Sequence, residues 1–226
     1  MTSTSGDRRQ REHDNLADRI RACKKCGEKM NIKGKTQSSP GYGDIESPVV
    51  VVGQSLCGPC MKEQQAFFGG SGKHLNEALN RAAHDKEDIY TTNVVHCHPE
   101  RNVASKQEWI DNCTPYLREE LAIVQPRVAI GFGDDAHDAL RQIFPDSPTL
   151  DWPLTTVAGF APYRGDSPAL LFPPHPGSFR WISTENGKRA KVIEEWESCL
   201  ARVFEWAFQI EPTCRGMAGG WMTDGN

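Results

Sequence analysis

Residues 89–99 read Ile89-Tyr90-Thr91-Thr92-Asn93-Val94-Val95-His96-Cys97-His98-Pro99. A β-branched and apolar run carries through to Val95, which fits a strand buried on both faces, as in a parallel sheet. Asn93 stands near the end of that strand, four residues before Cys97, a candidate metal ligand. The same scaffold is therefore expected to hold an active site and a metal site. Three further runs have the same character: Val49–Gly53, Val128–Gly133 and Ala169–Phe172.

Helical spacing separates these runs. Leu75, Leu79 and Ala82 share one face, as do Ile110, Cys113, Leu117, Leu121 and Val124, with Ser105 and Glu108 spaced as a capping box. Asp134 and Asp135 open another helix just after Gly133. Ile193, Trp196, Leu200, Val203, Phe204 and Ala207 predict a last helix that packs into the core.

Alternating strands and helices predict a doubly wound three-layer α/β/α sandwich around a central, mostly parallel four-stranded sheet. In such sheets ligands bind outside the carboxyl ends of the strands. The Gly53 loop, the Asn93 segment, the Gly131–Gly133 turn and Pro174-His175-Pro176 are expected to meet there in one pocket. Residues 145–168 hold five prolines and read as an irregular connection. One domain is expected over residues 13–211, after a disordered segment 1–12 and before a mobile tail 212–226.

The 226 residues are long enough for one well-cored domain, with 38% hydrophobic and 25% charged content. No apolar stretch approaches the roughly 20 residues of a membrane span, and Met1–Gly6 lacks the apolar core of a signal peptide. A cytoplasmic monomer without membrane contacts is expected. The net charge of −4 does not advertise a nucleic-acid binder, but its distribution is uneven. Residues 1–36 carry ten Lys/Arg against five acids, a basic patch around the first cysteine pair that suits phosphate contacts.

Eight cysteines in such a chain point to metal or redox chemistry. Cys23-x2-Cys26 with two distant cysteines can close a four-thiolate site for zinc or an iron–sulfur cluster. Cys57 and Cys60 are an alternative second half for such a site. They also admit a thiol nucleophile beside a helix N-terminus, a redox pair, or two small residues filling a tight loop.

The chain resembles the uracil-DNA glycosylase superfamily, most closely its iron–sulfur family 4 branch, from about Asp18 to Arg180. In that branch a CxxC, a cysteine in a "TNVVKCRPP-N" segment and a fourth cysteine sixteen positions on bind a [4Fe-4S] cluster. Thr92-Asn93-Val94-Val95-His96-Cys97-His98-Pro99 with Asn102 is similar to that segment, and Cys113 has the expected offset. The resemblance implies Cys23, Cys26, Cys97 and Cys113 as ligands of a cluster with a structural role. Ala66-Phe67-Phe68-Gly69-Gly70-Ser71-Gly72 resembles "PFVGRAG", which implies that Phe67 stacks on an extruded base while Phe68 belongs to the core.

Asn93 matches the residue that reads the pyrimidine edge, an amide suited to uracil O4 and N3–H. His175-Pro176-Gly177-Ser178-Phe179-Arg180 resembles "HPS/A-x-x-L-R". That implies His175 as donor to the departing base, Phe179 as the wedge in the duplex, and Ser178 and Arg180 as DNA contacts. His98 replaces an arginine beside the cluster and is expected to contact phosphate.

The first loop departs from the family. Where family 4 reads close to "GEAPG" and then a Glu-Asp pair, this chain has Gly53-Gln54-Ser55-Leu56-Cys57-Gly58-Pro59-Cys60-Met61. Gln54 stands at the glutamate, and Cys60 and Met61 stand at the acids. Gly53, Gln54 and Ser55 remain the expected base-binding loop, with Gln54 beside His175 and Asn93 in the chemistry. The expected partner is single- or double-stranded DNA containing a modified base. The expected activity is excision of a pyrimidine, uracil before others, to leave an abasic site. Excision of a different modified base, or DNA binding without cleavage, are the alternatives that the missing acids leave open.

Overall fold

The computed structural model describes residues 5–154 and 167–209. Among them, helix α1 (Ser5–Ala22) precedes β1 (Tyr42–Gly43) and β2 (Val49–Ser55). The short α2 (Gly58–Glu63) and α3 (Gly72–Arg81) lead to β3 (Tyr90–Val95), α4 (Gln107–Val124) and β4 (Val128–Gly131). Then come α5 (Asp134–Ile143), β5 (Thr149–Leu150), β6 (Ala169–Leu171) and α6 (Lys188–Gln209).

The sheet order is β1-β3-β2-β4-β6-β5, with β1 antiparallel to β3 and every other pair parallel. The doubly wound class is as expected, but the sheet has six strands rather than four. The two additions are edge strands of two residues each, too short to leave a run in the sequence. One of them, β5, lies inside the stretch expected to be irregular.

Strand β2 shows why the core has two halves. Val49 and Val51 face α3 and α6, while Val50 and Val52 face α4 and α5. All four are fully buried, each worth about 1.5–3 kcal/mol in apolar surface removed from water. Trp196, Leu200, Val203, Phe204 and Ala207 of α6 lie in the first half, as their spacing predicts.

Two local expectations are corrected. Residues 5–12, expected to be disordered, form the first turns of α1, whose Leu16 and Ile20 pack on Tyr116 and Ile123 of α4. The Ser105–Glu108 capping box is not formed: Lys106 caps α4 without a side-chain bond, and Ser105 Oγ is buried without a partner. The tail 212–226 lies outside the described residues. No helix among the described residues is long and apolar enough to cross a membrane.

Candidate active site and cluster site

The four expected strand-end segments converge on one cavity of about 1090 Å³. Gly53, Gln54, Ser55, Phe67, Asn93, Gly131, Gly133, His175, Ser178 and Arg180 all contribute to its wall. Asn93 is a register partner of Gly53 across the parallel β2–β3 pair and is almost fully buried. A Cβ on Gly53 would lie 2.6 Å from Asn93 Oδ1 and 2.9 Å from Phe67 Cζ, so the amide and the ring tip meet over a bare Cα.

Phe67 takes a left-handed backbone (φ 57°), unusual for a bulky residue. Its carbonyl accepts a hydrogen bond from the buried Lys86 Nζ at 2.6 Å, and a side chain at Gly72 would collide with that carbonyl. Burial lowers the Lys86 ammonium pKa. The Phe67 ring meets Phe132 edge-on at 5.7 Å. Phe68, expected in the core, is exposed instead.

His175 Nδ1 accepts from the Gly177 N–H at 2.9 Å. A nitrogen that accepts carries no proton, so the neutral ring bears its proton on Nε2 and can donate from there. Burial first, and then the positive charge of Arg180, hold its pKa below the ordinary histidine value. The following turn, Pro176–Trp181, sorts its residues differently from expectation. Phe179 is only 4% exposed and packs between His74 at 5.0 Å and Trp196 at 5.6 Å, so it belongs to the core and not to the rim. Trp181, which also lines the cavity, is 79% exposed, with the Arg180 guanidinium 4.9 Å from its ring centroid.

His98 is likewise displaced from its expected role. It is buried, and its Nδ1 bonds the Leu56 carbonyl at 2.8 Å, bracing the first loop from beneath. Cys57 and Cys60 form a disulfide across the start of α2, so neither is a free nucleophile. Glu63 is exposed and lies off the cavity; Asp134, at the start of α5, is the one carboxylate among the described residues that line it.

Lys86, Asp134 and Trp181 belong to the site without a sequence signal that marks them as such. An isolated lysine in a polar turn and a tryptophan two positions past an expected wedge give no periodic signal. Asp134 was legible as a helix start only.

Cys23, Cys26, Cys97 and Cys113 converge on a second cavity, with Met30, Asn31, His96 and Tyr116. All four are free thiols. Burial, followed by the neighbouring Cys113, Cys26 and Cys23, pushes the Cys97 thiol up to about 12. Burial also raises Cys113, but the adjacent His96 outweighs it and the net direction is down. Among the described residues no three His, Cys, Asp or Glu groups close on a single ion. Four thiols around one cavity are the ligand type that holds an iron–sulfur cluster. His96, whose ring stands beside Cys113, brings its buried Nδ1 to the same wall. The donor set fits a [4Fe-4S] cluster.

Beneath it lies a buried polar network. Glu120 Oε2 is 3.1 Å from His96 Nε2 and accepts from the Thr92 hydroxyl at 2.6 Å. Its Oε1 accepts from the Gly41 N–H at 2.7 Å. Burial alone would raise the Glu120 carboxyl, yet His96, Thr92 and Gly41 bring it below its ordinary value; burial lowers His96, but Glu120 and Cys113 move it upward.

A family model described as the uracil DNA glycosylase superfamily matches residues 40–197, more than half of the chain. A type-4 uracil-DNA glycosylase of Pyrobaculum aerophilum is 33% identical over 131 residues, covering 57% of this chain and 64% of its own length. One of Archaeoglobus fulgidus is 26% identical over 206 residues, 88% of this chain and 96% of its own. A type-5 uracil-DNA glycosylase of Pyrobaculum aerophilum is 25% identical over 159 residues, 58% of this chain and 70% of its own. The chain thus spans just under two thirds of the first of these relatives. The matched span runs from before β1 into α6 and takes in every strand end that feeds the cavity: the chain belongs to the uracil DNA glycosylase superfamily.

Proposed function

We propose that the protein is a monofunctional DNA glycosylase that extrudes uracil from DNA and hydrolyses its N-glycosidic bond, leaving an abasic site. The observation that carries this reading is the convergence of Asn93, Phe67 and His175, from three different segments, on one cavity at the carboxyl end of the sheet. Phe67 offers a stacking platform, worth about 1–3 kcal/mol per base. The Asn93 amide reads the pyrimidine edge. As the bond breaks, negative charge gathers on the leaving base, and the His175 Nε2–H donates to its O2. The neutral tautomer fixed by Gly177 does this without transferring a proton.

Ser178 and Arg180, both exposed at the rim, are the proposed phosphate contacts, and Trp181 replaces Phe179 as the apolar group that enters the duplex. The four cysteines would hold a [4Fe-4S] cluster, which supplies a rigid electrostatic anchor for the N-terminal loops and no part of the chemical step.

Gln54, Cys60 and Met61 stand where the resemblance places the family's acids, and Cys60 is tied to Cys57 in a disulfide. Losing an acid that steadies a cationic sugar costs several kcal/mol in a water-poor site. Bond cleavage that is largely dissociative tolerates that loss. The same observation favours a second reading, excision of another modified base or binding without excision. The test is alkali-revealed strand cleavage on oligonucleotides carrying uracil, hypoxanthine, xanthine or 5-modified pyrimidines. Cleavage at uracil that is lost in His175→Ala supports the first reading; binding without base release supports the second.

A further inference from the structure

We propose that His96 donates a hydrogen bond through Nδ1–H to the sulfur of the cluster site, at Cys113 or an adjacent inorganic sulfide, and that Glu120 holds it in that orientation. This rests on the cluster reading above and extends it to residues outside the four ligands.

The orientation of His96 follows from bond counting. Glu120 is a fully buried carboxyl that accepts from the Gly41 N–H and the Thr92 hydroxyl. Its Oε2 lies 3.1 Å from His96 Nε2, so one proton sits between the two groups. In a buried pair without net charge the other ring nitrogen, Nδ1, carries an N–H whichever partner holds the shared proton. That atom is buried, and it belongs to a residue that lines the cysteine cavity with its ring beside Cys113. A buried donor left unpaired is costly, and the soft, anionic sulfurs of a thiolate-bound cluster are the acceptors this wall would offer.

Hydrogen bonds to cluster sulfurs stabilise the reduced, more negative state and strengthen the hold on the ligand. The same carboxylate grips Thr92, the neighbour of Asn93, so the pair also ties the cluster wall to the strand that carries the base reader. His96 and Glu120 are positioning residues, not catalytic ones.

The experiment compares anaerobically reconstituted full-length wild type with His96→Leu/Glu120→Gln, a double variant that leaves no uncompensated buried charge. The readouts are iron and sulfide content, the midpoint potential, and the rate at which visible absorption bleaches in chelator. The double variant should have a more negative midpoint and bleach about tenfold faster or more. An iron-loaded double variant with the wild-type midpoint and bleaching rate overturns the inference. Pulsed EPR of the reduced wild type labelled with ¹⁵N-histidine tests it without any variant: a weak ¹⁵N coupling is expected, and its absence overturns the inference. A wild type that takes up no iron removes the cluster reading itself, a result distinct from either.

Discussion

Asn93 Oδ1 lies over the bare Cα of Gly53, its register partner in the neighbouring strand, where a Cβ would come within 2.6 Å of that oxygen. The glycine is therefore part of the base pocket although it has no side chain. Its conformation is ordinary; what it supplies is space. Gly53→Ala should push the amide and the Phe67 ring apart and lower kcat/KM on uracil DNA about 10- to 100-fold. Stability should change little, because the displaced groups face the cavity. Steady-state kinetics beside a denaturation curve separates the two effects.

Lys86 spends a buried charge on one carbonyl, that of Phe67. Lys86→Met keeps much of the volume, removes the donor and leaves the carbonyl unpaired. The expected stability loss is about 1–3 kcal/mol by urea denaturation. A weaker hold on the stacked base should accompany it, read as a rise in KM. Lys86→Arg should restore part of both.

His175 sets an acid limb. Its folded pKa lies below the unfolded value of about 6.5, so the neutral donor is favoured in the fold. The corresponding stability is present above pH 6.5 and is lost as pH falls through the folded value. Protonation also removes the lone pair that Gly177 uses. The kcat/KM profile should stay flat from pH 8 through about 6.5 and break only below it, whereas a break at or above 6.5 would oppose the assignment.

Trp181 and Phe179 should part company in mutagenesis. Trp181→Ala should slow excision from double-stranded DNA about tenfold or more while sparing single-stranded DNA, since only the duplex needs its stack broken. Phe179→Ala should instead destabilise the fold by about 3–5 kcal/mol, because its ring is packed against His74 and Trp196.

The parallel sheet was legible because Val49–Val52 and Val128–Gly131 are runs that only a two-sided core accommodates. The edge strands Tyr42–Gly43 and Thr149–Leu150 were not, since two residues define no period. Asn93, Phe67 and His175 could be found because each sits in a short motif at a strand end. The fates of Phe179, His98 and Phe68 could not: one residue in a tight turn faces the core and its neighbour faces solvent, and sequence offset does not say which. The Cys57–Cys60 pairing lies between these cases, its spacing visible but its state open among several chemistries.

The most direct test is release of uracil from a defined oligonucleotide by cluster-loaded protein, compared with His175→Ala and Asn93→Ala. The account predicts an alkali-labile site at the uracil with wild type, and kcat reduced about 10²- to 10³-fold by His175→Ala. Wild-type protein that binds the uracil-containing DNA but releases no base, or an undiminished rate in the His175→Ala variant, would contradict it.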